Sequence, residues 1–171
     1  MRVLALGVTA GNHLGNDFLS IKKDFGAKGD GITDDTAAVQ AALSNGGNIY
    51  FPVGIYVVTT LAGASDSILW CSGPVVIKRK SNASGNQPLL SFTSKSNWSI
   101  LGPFRFDGNK ASQTASNAAN NIEIVACYSW KIDGIQSCNA KTNPSVGYGS
   151  GLVILASGNG SQTSQSVVTR S

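Results

Sequence analysis

Histidine, methionine and acidic side chains are scarce in this chain of 171 residues, which has one His, one Met and nine Asp plus Glu. A lone His13 excludes a histidine metal cluster and any His-paired nucleophile in the body of the chain. The three cysteines, Cys71, Cys127 and Cys138, cannot all pair with one another, and no Cys-x-x-Cys occurs. Each sits in or beside an apolar, strand-like run, so buried free thiols are expected rather than a disulfide framework. No metal and no cofactor is expected. No apolar run is long enough to span a membrane, so no membrane partner is expected. Arg2 followed by Val3-Leu4-Ala5-Leu6-Gly7-Val8 is short for a signal peptide and lacks a good cleavage pattern, so a leading strand or linker is preferred to an export signal. The only basic run is Lys78-Arg79-Lys80. An anionic polysaccharide or nucleic-acid patch is one reading, and a solvated turn after Val75-Val76-Ile77 is the preferred one. No aromatic residues interleave with it, so no nucleic-acid partner is expected.

What is abundant is glycine, with asparagine, serine and threonine around it. These suit a turn-rich β protein with polar ladders. The stretch from Ser20 to Thr60 is the most specific. Gly26, Gly29 and Gly31 punctuate a polar turn around Lys28 and Asp30. Thr33 is expected to cap a short helix, with Asp34, Asp35 and Thr36 in its first turn, where carboxylates face unpaired amides. Thr36, Val39, Ala42 and Leu43 share one helical face, and Asn45-Gly46-Gly47 ends the element. So short a stripe needs a larger body to lie on. Ile49-Tyr50-Phe51 and Ile55-Tyr56-Val57-Val58 follow as strands around Pro52-Val53-Gly54. Alternation puts Ile49 with Phe51 and Ile55 with Val57. Asp34-Asp35 could also be read as a catalytic or metal-binding pair. Adjacent residues at a helix start diverge, so capping is preferred.

The run from Asp24 to Thr36, followed by Gly47-Asn48-Ile49-Tyr50-Phe51-Pro52-Val53-Gly54-Ile55-Tyr56, resembles the opening of the pectate-lyase superfamily. Within it, Leu19-Ser20-Ile21 leading into Asp24-Phe25-Gly26-Ala27 is most similar to bacteriophage tailspikes and polysaccharide depolymerases. The resemblance implies an all-β fold, a right-handed single-stranded parallel β-helix with a short N-terminal capping helix at about 33–44. Residues 1–19 are then a lead or linker. Residues 20–171 are the start of the solenoid, incomplete at the C-terminal end because no cap is visible there. The Asn-Thr-Asp, Asp-Asp, His-Gly and Arg-x-Lys motifs of polygalacturonase-like members do not follow the opening motif. No catalytic residue can therefore be carried over, and the catalytic set is unknown.

Strand-like runs recur at Ser67–Cys71, Val75–Lys80, Leu89–Thr93, Trp98–Leu101, Phe104–Asp107, Ile122–Trp130, Lys131–Ile135, Gly151–Leu155 and Val167–Thr169, a spacing that suits solenoid rungs. Asp107-Gly108-Asn109 marks a turn, and Asn109–Asn121 and Ala140–Ser150 are excursions from the solenoid. Glu123 sits at an outward position and Asp133 precedes a turn glycine, which argues against their forming a hydrolase pair. Trp98, Tyr128 and Trp130 are the candidate sugar-stacking residues, and Tyr128 and Trp130 share strand parity, so both would face outward together. A core or subunit-contact role is the competing reading.

The resemblance implies the N-terminal part of a tailspike-like protein that binds, and in full length can degrade, bacterial surface polysaccharide. Partners would be two further copies in a homotrimer and virion tail or baseplate proteins, with an extracellular virion-tail location. The alternatives are a non-catalytic virion structural or adhesion module, and a secreted pectin-degrading lyase or hydrolase.

Overall fold

The computed structural model describes residues 18–83, 85–114, 119–141 and 150–155, and the backbone of 168–170. The chain winds as a parallel β-helix of about four turns, closed at one end by a helix. The first turn supplies β1 (Leu19–Ser20), β2 (Asp30–Asp34) and α1 (Thr36–Asn45). The second supplies β3 (Gly47–Tyr50), β4 (Gly54–Val58) and β5 (Leu61–Ala62). Then come β6 (Ser67–Trp70), β7 (Val75–Arg79) and β8 (Leu90–Thr93), followed by β9 (Ser96–Leu101), β10 (Phe104–Asp107) and β11 (Ile122–Val125). The last described rungs are β12 (Tyr128–Asp133), β13 (Gln136–Cys138), β14 (Leu152–Leu155) and β15 (Val168–Arg170).

Three parallel sheets result. Sheet A runs β1-β3-β6-β9-β12, sheet B runs β2-β4-β7-β10-β13-β15, and sheet C runs β5-β8-β11-β14. Register stacks like on like inside. Leu19, Ile49, Leu69, Ile100 and Ile132 form one column in sheet A. Leu61, Leu90, Ile122 and Leu152 form another in sheet C. The middle members Ile49, Leu69, Ile100, Leu90 and Ile122 thereby meet apolar neighbours above and below and are removed almost wholly from water.

The helix takes the place that a sheet C strand would fill in the first turn. Val39, Ala42 and Leu43 are buried beneath it. Its Gln40 side chain acts as a substitute strand for β5, with Nε2 donating to the Ala62 carbonyl (3.0 Å) and Oε1 accepting from the Ala62 amide (2.9 Å). Thr36 Oγ1 accepts from the Thr59 amide at 2.9 Å. The sheet edge that would otherwise invite another chain is satisfied by side chains.

The helix begins later than its sequence suggests. Asp35 is the N-cap residue, and no acidic residue lies in the first turn. Thr33 belongs to β2, with its amide and hydroxyl bound to the Asp30 carboxylate at 2.7 Å each. Those bonds hold the Asp30 carboxyl down to about 2, the Thr33 hydroxyl contributing most. Asp34 accepts from the Thr36 hydroxyl and amide and pairs with Lys80 at 3.0 Å. Asp35 turns inward and is buried, accepting from the Lys28 amide (2.7 Å) and the Gly29 amide (2.9 Å). It ties the glycine loop to the helix start rather than capping the helix with its side chain.

The basic run is also split. Lys78 faces out, Lys80 reaches Asp34, and Arg79 is 3% exposed inside the solenoid. The strand continues past Ile77 through Lys78 and Arg79, so the run is not a solvated turn. The Arg79 guanidinium donates to the carbonyls of Thr59, Gln87 and Asn120 (3.4, 2.9 and 3.4 Å), and its burial lowers its pKa. The break expected after Trp130 falls instead at Ala126, whose φ of 51° matches the 52° of Ser94 at the same corner one turn earlier. Cys71 and Cys127 are buried free thiols and Cys138 is half-buried.

Candidate functional site: the outer face of sheet B

Trp98 and Trp130 do not face solvent. Trp98 is 1% exposed and stacks between Phe92 and Trp130, with ring centroids 3.8 and 5.6 Å away and planes 10° apart in both pairs. Tyr128 is the exposed member of the trio, at 41%. The shared parity of Tyr128 and Trp130 fails because Ser129 between them has φ of 49°. A left-handed residue rotates the chain, so alternation restarts after it. Asn97 (φ 56°) and Asp66 (φ 53°) occupy the same corner in the turns before, and Asn97 Nδ2 donates to Asp66 Oδ1 at 3.0 Å. The three aromatics are therefore not one sugar platform. Two form the spine of the core, a placement that tightens the rung stacking by about 0.5–1.5 kcal/mol per ring pair beyond area burial.

Glu123 and Asp133 are also kept apart. They lie on β11 and β12, in sheets C and A. Glu123 accepts from Asn120 at 3.0 Å, while Asp133 sits 3.9 Å from Lys131 in an exposed pair.

Polar groups converge on the outer face of sheet B. Its outward positions run Ile55, Val76, Arg105, Gln136 in one column and Val57, Lys78, Asp107, Cys138 in the next. The face thus changes from apolar to charged as the solenoid ascends. At the charged end an open cleft of about 380 Å³ is lined by Lys78, Asp107, Asn109, Lys110, Ala111 and Asn139. The Asp107-Gly108-Asn109 turn builds its wall. Asn109 has φ of 50°, and its Nδ2 donates to the Arg79 carbonyl at 3.0 Å. Gly108 is required there, since a Cβ would lie 2.4 Å from the Asn139 carbonyl oxygen.

Asp107, the one carboxylate lining the cleft, has its acceptors occupied. Oδ1 accepts from the Asn109 amide and from Asn139 Nδ2, both at 2.9 Å, and Oδ2 pairs with Arg105 at 3.3 Å. Arg105 also donates from Nε to Cys138 Sγ at 3.1 Å, and that bond, followed by the Asp107 carboxylate, raises the already high pKa of the guanidinium. With Asp107 neutralised by Arg105, the ammonium groups of Lys78 and Lys110 dominate the charge. The cleft is positively charged, and the Asn109 and Asn139 side-chain amides are held in its wall by their bonds to the Arg79 carbonyl and the Asp107 carboxylate. Among the described residues no group of His, Cys, Asp and Glu could hold a metal ion. Arg105 and Asp107 are legible as an alternating strand ending in a turn. Lys110 and Asn139 carry no signal, because only the winding of the chain brings them beside Lys78.

A parallel β-helix with a polar cleft on one outer sheet is the class that this geometry defines. The chain belongs to the rhamnogalacturonase A/epimerase, pectate lyase-like family, whose model matches residues 18–127. Alginate lyase 7 of Azotobacter vinelandii is 50% identical over 60 residues, covering 32% of this chain and 7% of that protein. The pre-neck appendage protein of Bacillus phage phi29 is 29% identical over 127 residues, covering 67% of this chain and 15% of that protein. Among solved structures, the A-module of mannuronan C-5 epimerase AlgE4 from Azotobacter vinelandii superposes with a TM-score of 0.65 at 24% identity, over 82% of this chain and 42% of that one. The chain thus spans a small part of the curated relatives it matches, and the likeness to the epimerase shows the fold.

Proposed function

We propose that this chain is a polysaccharide-binding β-helix module of a phage appendage, and that acidic glycan lies along the outer face of sheet B. The observation that carries the reading is the open cleft with Lys78 and Lys110 unmatched by a free carboxylate. Two kinds of relative support it, one named as a phage appendage protein and others named for alginate and mannuronan, which are polymers of uronic acids. Assembly as a tailspike-like homotrimer on the virion belongs to the same proposal.

The test is binding of polymannuronate and of neutral dextran by calorimetry, with the unaltered chain and with Lys78→Glu/Lys110→Glu. Each exposed charge contact contributes about 0.2–1 kcal/mol, and reversal also adds repulsion, so the double variant should bind polymannuronate at least about tenfold more weakly. Raising salt should weaken the unaltered chain in the same direction. Equal affinity for dextran, or an unchanged constant in the double variant, would refute the cleft as the glycan contact.

A further inference from the structure

The outer face of sheet B does not end at the cleft. On the side of the first turn its outward side chains are aliphatic and open to water. Ile55 is 42% exposed, Val53 at the corner leading into β4 is 56% exposed, and Ile32 on β2 is 87% exposed. One exposed aliphatic needs no explanation, but a group on a single face does. Ile55 lies over the backbone of Gly31, next to Ile32, since a Cβ on Gly31 would sit 3.5, 3.6 and 3.7 Å from three Ile55 carbons. Val53 reaches over Gly73, where a Cβ would lie 2.8 Å from Val53 Cγ2. Half-buried Val76 follows Ile55 in register, and exposed Arg105 follows Val76. Lys78 of the cleft is two residues along the same strand from Val76, so the apolar and cationic parts meet within about 7 Å. Arg105 stands at the junction. Its Nε donates to Cys138 and its Nη2 to Asp107, and its Nη1 has no partner among the described residues.

We propose that the acidic glycan on this face carries O-acetyl esters, and that Val53, Ile55 and Val76 receive their methyl groups. This rests on the acidic-glycan reading of the cleft. The occupant follows from continuity and charge. A polymer held by its carboxylates at Lys78 and Lys110 passes over the neighbouring aliphatic side chains of the same face. Unsubstituted hydroxyls placed there would lose water and gain no partner. An acetyl ester replaces the hydroxyl donor with a methyl group, which buries against Val53 and Ile55, and with a carbonyl oxygen, which can accept from Arg105 Nη1. A second copy fits less well, because a specific interface takes about 800 Å² from each partner and this patch is a few side chains wide.

The test is calorimetric titration of O-acetylated mannuronate hexamers and of the same hexamers after mild alkaline deacetylation. The unaltered chain is compared with Val53→Thr/Ile55→Thr, in which both new residues keep the β-branch that suits strands, and thermal melting checks the fold. One buried methyl group is worth about three- to fourfold in affinity. The unaltered chain should therefore bind the acetylated form at least about threefold more tightly. That ratio should survive added salt, which screens only the charged contacts, and should fall to about one in the variant. Equal affinity for the two forms in the unaltered chain overturns the proposal and leaves the cleft reading standing. So does a ratio kept in the variant. Failure to bind the deacetylated hexamer, or equally good binding of it by Lys78→Glu/Lys110→Glu, sinks the cleft reading and this proposal with it. A mass that rises with protein concentration by light scattering, but not in Val53→Thr/Ile55→Thr, overturns the proposal in favour of a second copy on the patch.

Discussion

Replacing Gly63 with alanine drives a methyl group into the aromatic spine. A Cβ at that position would lie 2.1 Å from Phe92 Cε1 and 2.4 Å from both Cδ1 and Cζ, about 1 Å inside the closest approach carbon atoms tolerate. The Gly63 backbone is not in the left-handed region, so strain in φ plays no part. Relief must come from the ring, and Phe92 is fully buried and stacked on Trp98 at 3.8 Å, which stacks in turn on Trp130. The whole column would have to shift. Overpacking of this kind costs about 1–3 kcal/mol, and a fully buried ring already stacked on its neighbour belongs at the upper limit. Urea unfolding followed by far-ultraviolet circular dichroism would read this as a lower midpoint at unchanged slope. Phe92→Leu supplies the control. Removing the ring costs stability by itself, but Gly63→Ala added to it should cost at least about 1 kcal/mol less than in the unaltered chain. An unchanged midpoint in Gly63→Ala, or strictly additive losses in the double variant, would refute the spine as the element that orders these rungs.

Asp35→Ala removes the acceptor of the Lys28 and Gly29 amides and should cost about 2–4 kcal/mol by urea unfolding, since both donors lose a charge-assisted partner away from water. Asp34→Ala, whose partners are exposed, should cost less than half as much. The thiols should divide by burial under native labelling with a maleimide: Cys138 reacts, while Cys71 and Cys127 wait for unfolding. Burial pushes the Cys71 thiol up from 9.0 to about 11, so its neutral form is the one the fold accommodates. Its contribution is fully present below pH 9 and fades as the pH rises toward 11, and Cys71→Ala should flatten that part of the alkaline stability profile. An identical alkaline profile in the variant would show that the thiol is not desolvated as described.

Much of the architecture was legible in local chemistry. The glycine-punctuated loop, the helical stripe of Val39, Ala42 and Leu43, and the alternating runs at Phe104–Asp107 and Ile122–Val125 are each short-range patterns that β-strand and helix periodicity reveal. The misplaced strand break and the misplaced aromatics share one physical cause. Ser129 and Ala126 adopt left-handed φ that neither residue type announces, and a single such residue resets which side chains face inward. Tyr128 was thus separated from Trp130, and Trp98 and Trp130 became core.

By itself, then, the sequence determined that strand-length runs alternate with polar turns and that a short helix lies near the start, because these depend on residue type and spacing within a few positions. Only the tertiary structure decided that Arg79 turns inward while Lys78 turns out, that Asp35 serves the glycine loop, and that Lys78, Lys110, Asn109 and Asn139 meet around a neutralised Asp107. In a solenoid such neighbours are a full turn apart in sequence. Loops of unequal length separate successive rungs, and register across the sheets brings those residues together.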